Sequence, residues 1–289
     1  MKWINRNDSE ANYEDRRGRT FRRGGAIGGL GAIIVFIIAL LLGQNPFQML
    51  DMANSVAPGQ ATEEVDPSRA HENEDLKVFT LGVFNSANDV WAEIFRKQVG
   101  QEYRKPTLVT YTDQTVSDCG GASGAVGPFY CPNDEKIYID LNFFAELTHR
   151  FGAHGDLAKA YVTAHEVGHH VQKLLGILDQ VNQYRGRISE AEFNRLNVKL
   201  ELQADFFGGV WANQAQKMGT ILLEQGDLES AISATQAIGD DNIQKQAQGY
   251  TVPDSFTHGT SAQRTYWFRK GFETGDIRQG DTFNDPSLR

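Results

Sequence analysis

The chain has 289 residues, 40% of them hydrophobic and 22% charged, an ordinary balance for a globular protein with a sizeable core. Its formal net charge is −9, and the positive charge is concentrated at the N-terminus. An acidic body without clustered Lys and Arg excludes sequence-independent binding to nucleic acid. No internal repeat is visible, so the length allows one large domain with appendages.

Residues 1–23 hold seven basic side chains (Lys2, Arg6, Arg16, Arg17, Arg19, Arg22 and Arg23) against four acids. The segment reads as a polar, disordered cytoplasmic tail. From Gly24 to Leu50 there is no charged residue, and Gly25 to Leu42 is apolar. A transmembrane helix over 24–43 is expected, because a span needs roughly 20 apolar residues. A cleaved signal peptide is the rival reading, but the cleavage-like Ser55-Val56-Ala57 is followed by Pro58, which is expected to block the cut. The first basic residue after the span is Arg69. The positive-inside rule therefore predicts a single-pass protein of the cell's inner membrane, N-terminus cytoplasmic and body periplasmic or extracellular. Gly24, Gly25, Gly28 and Gly29 put small residues four apart, a candidate contact for a homodimer of spans.

Residues 44–73 carry Pro46, Pro58, Pro67 and several acids without periodicity, and read as a flexible linker. The folded domain is expected over 74–289. Leu76, Phe79, Val83, Val90, Trp91, Ile94 and Phe95 have helical spacing, and Ser86 or Asn88 could cap the second of two helices there. Thr107–Tyr111 and Lys136–Asp140 read as short strands flanking a Gly-rich loop. That loop contains Cys119 and Cys131. In an oxidising compartment the pair would form a disulfide, the alternative being two free buried thiols. A long helix is predicted over 156–175, ended by Gly176. Ser189 with Glu192 has capping-box spacing and opens a helix through about Lys217. Leu228–Ile238 is helical in pattern. Thr260 with Gln263 repeats the capping box and opens a last helix through about Phe272. Helices dominate beside a small sheet, an α+β chain.

The chemistry centres on His165-Glu166-Val167-Gly168-His169. Residues four apart on a helix share a face, so both imidazoles can reach one ion at about 2.0–2.1 Å. Glu166 lies one step round the helix and can reach a metal-bound water. The bland alternative is two histidines on a buried face satisfied by hydrogen bonds. The second helix lowers its weight, since Glu201 and Asp205 stand one turn apart among apolar neighbours. Glu201 can supply a third ligand, and Asp205 can orient a ligand histidine through its far nitrogen. Gly208 and Gly209 would let helices approach closely. The cofactor implied is Zn2+, with Glu166 as general base. The developing oxyanion needs a further partner, for which His258 is the candidate, with Arg264 behind it. His170 points off the ligand face, and His71, His149 and His154 have no partner spacing.

Four stretches together resemble the neutral zinc metallopeptidases, a family of bacterial membrane-anchored proteins. They are Cys-Gly-Gly-Ala-Ser-Gly-Ala-Val-Gly-Pro-Phe-Tyr-Cys-Pro, His-Glu-Val-Gly-His-His-Val-Gln, Glu-Leu-Gln-Ala-Asp-Phe-Phe-Gly-Gly-Val-Trp and His-Gly-Thr-Ser-Ala-Gln-Arg. The resemblance spans residues 75–275 and extends to the wider gluzincin group. It implies a mainly helical, zincin-like domain with His165, His169 and Glu201 as ligands and Glu166 as base. It also implies that the strand near Lys136–Asp140 is an edge strand holding extended substrate. Phe206 stands where many relatives are expected to carry cysteine, which touches no catalytic role. The expected function is a membrane-anchored zinc endopeptidase acting on protein or peptide substrates. The alternatives are a non-catalytic zinc module that recruits envelope proteins, or an amidase on cell-wall peptides.

Overall fold

A computed structural model describes residues 1–22, 62–123 and 127–288. The chain divides into two units, one of Met1–Glu10, Val78–Pro106 and Phe144–Arg289, the other of Ala11–Lys77 and Thr107–Phe143.

The first unit is helical, as the apolar periodicity demands. Helix α1 (Glu74–Ile94) contributes the residues from Val78 onward to it. It continues as one wider turn over Phe95–Val99 and stops at Gly100, whose φ of 74° suits glycine. The expectation of two helices here is corrected to one. Ser86 and Asn88 do not cap anything: Ser86 accepts a hydrogen bond from Trp211 Nε1, and Asn88 is tied to Phe84 O and Tyr103 OH. A short helix α2 (Phe143–His149) follows later in the chain. Helix α3 (Asp156–Leu174) ends before Gly176, with φ 73°. A short α4 (Ile177–Asn182) leads to α5 (Glu190–Lys217), which opens on the Ser189/Glu192 capping box. Then come α6 (Asp227–Ala237), α7 (Asp240–Gln248) and α8 (Ser261–Thr274), the last opened by the Thr260/Gln263 box.

Glycines set how closely these helices cross. A Cβ on Gly209 would stand 2.1 Å from Phe268 O, and one on Gly271 would stand 2.0 Å from Phe206 O, so α5 and α8 touch backbone to backbone. At Gly168 a Cβ would lie 3.1 Å from Ala204 O, which fixes the approach of α3 to α5. Trp91, Trp211 and Trp267 fill this core, with Trp91 edge-on to Phe207.

The second unit holds a four-stranded sheet ordered β2 (Tyr13–Arg16), β5 (Thr107–Tyr111), β9 (Lys136–Asp140), β8 (Phe129–Cys131). Strands β2–β5 and β5–β9 are parallel, and β8–β9 is antiparallel. Strands β3 (Arg19–Arg22) and β4 (Thr62–Val65) pair antiparallel, as do β6 (Gln114–Ser117) and β7 (Gly120–Ser123). Cys119 and Cys131 are joined by a disulfide. The β9 strand lies where expected, but it is interior rather than an edge. Its neighbours β5 and β8 take both its sides over Lys136–Tyr138, and among the described residues the open edges belong to β2 and β8.

The N-terminal residues are not a disordered tail. Lys2–Trp3 form β1, antiparallel to β10 (Ile221–Leu222), and Trp3 packs against Phe79. Asn85 Nδ2 donates to the carbonyls of Asn7 and Ser9. In the second unit the buried Arg17 guanidinium binds Asp15, Glu74 and the carbonyl of Glu72. Part of the expected linker is structured too, since 62–65 is a strand and Pro67–Arg69 a helical turn. The predicted span over 24–43 and its glycines lie outside the described residues. Among the described residues no helix is long and apolar enough to cross a membrane.

Candidate metal centre and active site

Helix α3 places His165 and His169 one turn apart, and α5 brings Glu201 against them across the Gly168 crossing. Nε2 of His165 and Nε2 of His169 are 3.1 Å apart. Glu201 Oε2 is 3.1 Å from His165 Nε2, and Glu201 Oε1 is 3.5 Å from His169 Nε2. Ligands held tetrahedrally at 2.0–2.1 Å from zinc stand about 3.3 Å from one another. The three donors therefore already have the spacing of a zinc site, and they form a single cluster.

The far nitrogens decide the tautomers. His165 Nδ1–H donates to Asp205 Oδ1 at 2.8 Å, and His169 Nδ1–H donates to Gln172 Oε1 at 2.9 Å. Both Nε2 atoms are then left to face each other and the Glu201 carboxylate, where a bound metal ion would be held. Burial opposes charge on His165, yet Asp205 and Glu201 outweigh it and raise its pKa to about 10, so the surrounding carboxylates favour positive charge at this point, a proton or a metal ion. Burial likewise opposes the Glu201 carboxylate, while His169 and His258 hold it well below the usual range.

Asp205 is itself fully enclosed. It accepts from Arg264 Nε at 2.8 Å and Arg264 Nη2 at 2.9 Å, and from the Tyr161 hydroxyl. Arg264 Nη2 also donates to Tyr161 OH at 3.0 Å. The guanidinium is thus committed to Asp205, and its charge also acts on His258. Burial raises the Asp205 carboxyl, but Arg264 and His165 bring it below its ordinary value.

Glu166 is buried, and its Oε2 has no hydrogen-bond partner among the described residues. Burial raises its pKa above the carboxylate norm against the pull of His165 and His169. An unsatisfied buried carboxylate oxygen costs about 1–3 kcal/mol, so its retention needs a reason. A water held at the metal would supply its partner.

His258 stands half exposed in the loop before α8. Asp240 builds that loop: its Oδ2 accepts the backbone N–H groups of Thr257, His258 and Gly259 at 2.8, 2.6 and 2.9 Å. His258 Nδ1 lies 2.9 Å from Thr257 Oγ1. Partial desolvation opposes charge on this half-exposed ring, but the Glu201 and Asp240 carboxylates raise its pKa, so the ring lies in the field of the Glu201 carboxylate. It is not one of the clustered ligands. His170 turns away to Arg104 O, and His71, His149 and His154 are exposed.

Sequence reasoning missed Tyr161, Gln172 and Asp240. Tyr161 and His165, like His169 and Gln172, sit a helical turn apart, so that spacing could have found the first two. Asp240 has no such signal.

Paired orienting groups, zinc spacing and a spare carboxylate put the chain in the class of zinc proteins whose ion lies between two crossing helices. The family model described as "putative neutral zinc metallopeptidase" matches residues 1–283, and the chain belongs to that family. It is 45% identical over 292 residues to uncharacterized protein YpfJ of Escherichia coli strain K12, covering 98% of this chain and 99% of that one. It is 38% identical over 264 residues to uncharacterized protein Rv2575 of Mycobacterium tuberculosis strain H37Rv, covering 86% of each. No solved structure matches the chain.

Proposed function

We propose that the chain is a zinc-dependent endopeptidase in which His165, His169 and Glu201 hold the metal and Glu166 is the general base. The observation that carries this reading is the orphaned Glu166 Oε2, buried beside three donors at zinc spacing. A zinc ion bound there lowers the pKa of its water to about 7 and polarises a carbonyl. Glu166 takes the water's proton on the free oxygen; its raised pKa suits a group that must then return the proton to the leaving amine. His258 donates to the developing oxyanion from its loop, held there by Asp240. A structural zinc would be closed by a fourth side chain and would have no use for Glu166. The Cys119–Cys131 disulfide supports an oxidising compartment for the body. The uncharged run from Gly24 supports attachment to a membrane.

Metal analysis of the purified protein, with cleavage of a loosely folded protein such as casein, tests the proposal. Wild type should carry about one zinc and cleave. Glu166→Gln should keep the zinc and lose about 10²–10⁴-fold in rate. Equal cleavage by both would remove Glu166 from the chemistry. Zinc without cleavage of any protein would favour a recruiting module, and cleavage confined to cell-wall peptides would favour an amidase.

A further inference from the structure

The two ligand histidines are oriented by different chemistry. His165 is backed by a carboxylate, whereas His169 is backed by a neutral amide three residues on along the same helix. That amide does not hang free. Gln172 is fully buried, and its Nε2 donates to Leu200 O at 2.7 Å and to Gln203 Oε1 at 3.1 Å. Gln203 Nε2 in turn donates to Gly280 O at 2.9 Å. Both donor contacts fix which way the Gln172 amide faces, because an amide turned over would point its NH2 at His169 and its oxygen at a carbonyl. The contact at Leu200 O has a second meaning, since Leu200 immediately precedes the third donor, Glu201. One side chain thus touches a ligand histidine with one end and the backbone beside the ligand carboxylate with the other.

We infer that Gln172 is a positioning residue for the metal centre: its Oε1 holds His169 with Nδ1–H donated and Nε2 bare, and its Nε2 locks the α5 segment carrying Glu201 in register with α3. Gln203 acts one step further out, anchoring Gln172 to the C-terminal segment at Gly280. The inference rests on the metal-site reading above and adds to it which residue sets the second imidazole. Removing an orienting partner of this kind typically weakens metal binding by about 10–100-fold.

The test is zinc affinity of the metal-free full chain, measured by competition with a chromophoric chelator, for wild type, Gln172→Leu, Gln172→Glu and Gln203→Leu. Circular dichroism of each metal-free form reports folding. Gln172→Leu should bind zinc about 10–100-fold more weakly. Gln172→Glu keeps an oxygen acceptor for His169 but loses the tie to Leu200 O, so it should lose less affinity than Gln172→Leu while still binding more weakly than wild type. Gln203→Leu should lose less than Gln172→Leu. Cobalt substitution gives a second readout, since a reoriented His169 changes the visible absorption of the bound ion. Wild-type affinity in Gln172→Leu would overturn the inference while leaving the metal site standing. Equal losses in the Leu and Glu variants would overturn it too, reducing Gln172 to a tie between helices. No zinc affinity in wild type would remove the metal reading itself, a result separable from both.

Discussion

His165 Nδ1 lies 2.8 Å from Asp205 Oδ1, and the same carboxylate takes both Arg264 nitrogens that face it. The orienting group of the first ligand is therefore one half of a fully buried ion pair. Metal geometry and fold stability meet in one side chain.

Asp205→Ala leaves the Arg264 guanidinium buried without its countercharge. Breaking a buried pair from one side costs about 3–5 kcal/mol. Denaturant unfolding of the metal-free protein should show that loss, and zinc affinity should fall by about 10–100-fold. A variant as stable as wild type would mean that Arg264 has found another partner.

His258→Ala should separate the oxyanion role from metal binding. Zinc content should be unchanged, since His258 is outside the donor cluster. Turnover should fall by about 10²–10³ with little change in KM, as for removal of one oxyanion donor. A rise in KM alone would recast His258 as a substrate-binding residue.

Gly209→Ala should destabilise by about 1–3 kcal/mol, because the new methyl meets backbone of α8 that cannot rotate away. The thermal midpoint reads this directly. Gly168→Ala faces a contact of 3.1 Å, so its neighbour can yield by a few tenths of an ångström and its effect on stability should be smaller.

Acid should destabilise the second unit's N-terminal corner. Burial opposes charge on Asp15 and Glu74, but Arg17 holds both below their ordinary values. Carboxylates depressed in the folded state stabilise it above their unfolded pKa values, about 3.9 and 4.3, and this is lost as the pH falls through the lower folded values. Stability measured from pH 6 down to pH 2 should drop across that window, and Arg17→Met should flatten the drop. An unchanged profile would show the cluster to be without linkage.

Helices α3, α5 and α8 were legible because their signals are local: apolar periodicity, capping boxes, and Gly176 at a positive φ. His165 and His169 were legible from their four-residue spacing on one helix, and Glu201 from its four-residue spacing with Asp205 on the next. Strand β2 was not, because Tyr13-Glu14-Asp15-Arg16 has no alternation of apolar residues; its charges pair within the unit, as Glu14 does with Arg16 and Lys136. Helix α7 escaped for a related reason. Its buried residues are Asp240 and Gln244, polar side chains satisfied by backbone and Ser255, and burial of that kind leaves no hydrophobic trace. Arg264 was seen in the sequence, but its ion pair with Asp205 was not, because the two lie 59 residues apart.

Strands β1 and β2 draw their hydrogen bonds from Ile221–Leu222 and from Leu108–Tyr111. Such bonds do not form through lipid. Residues paired in this way lie on the same side of any bilayer, Lys2–Trp3 with Ile221–Leu222 and Tyr13–Arg16 with Leu108–Tyr111. A thiol-reactive, membrane-impermeant label at Asn5→Cys and at Lys97→Cys should accordingly modify both or neither in intact cells.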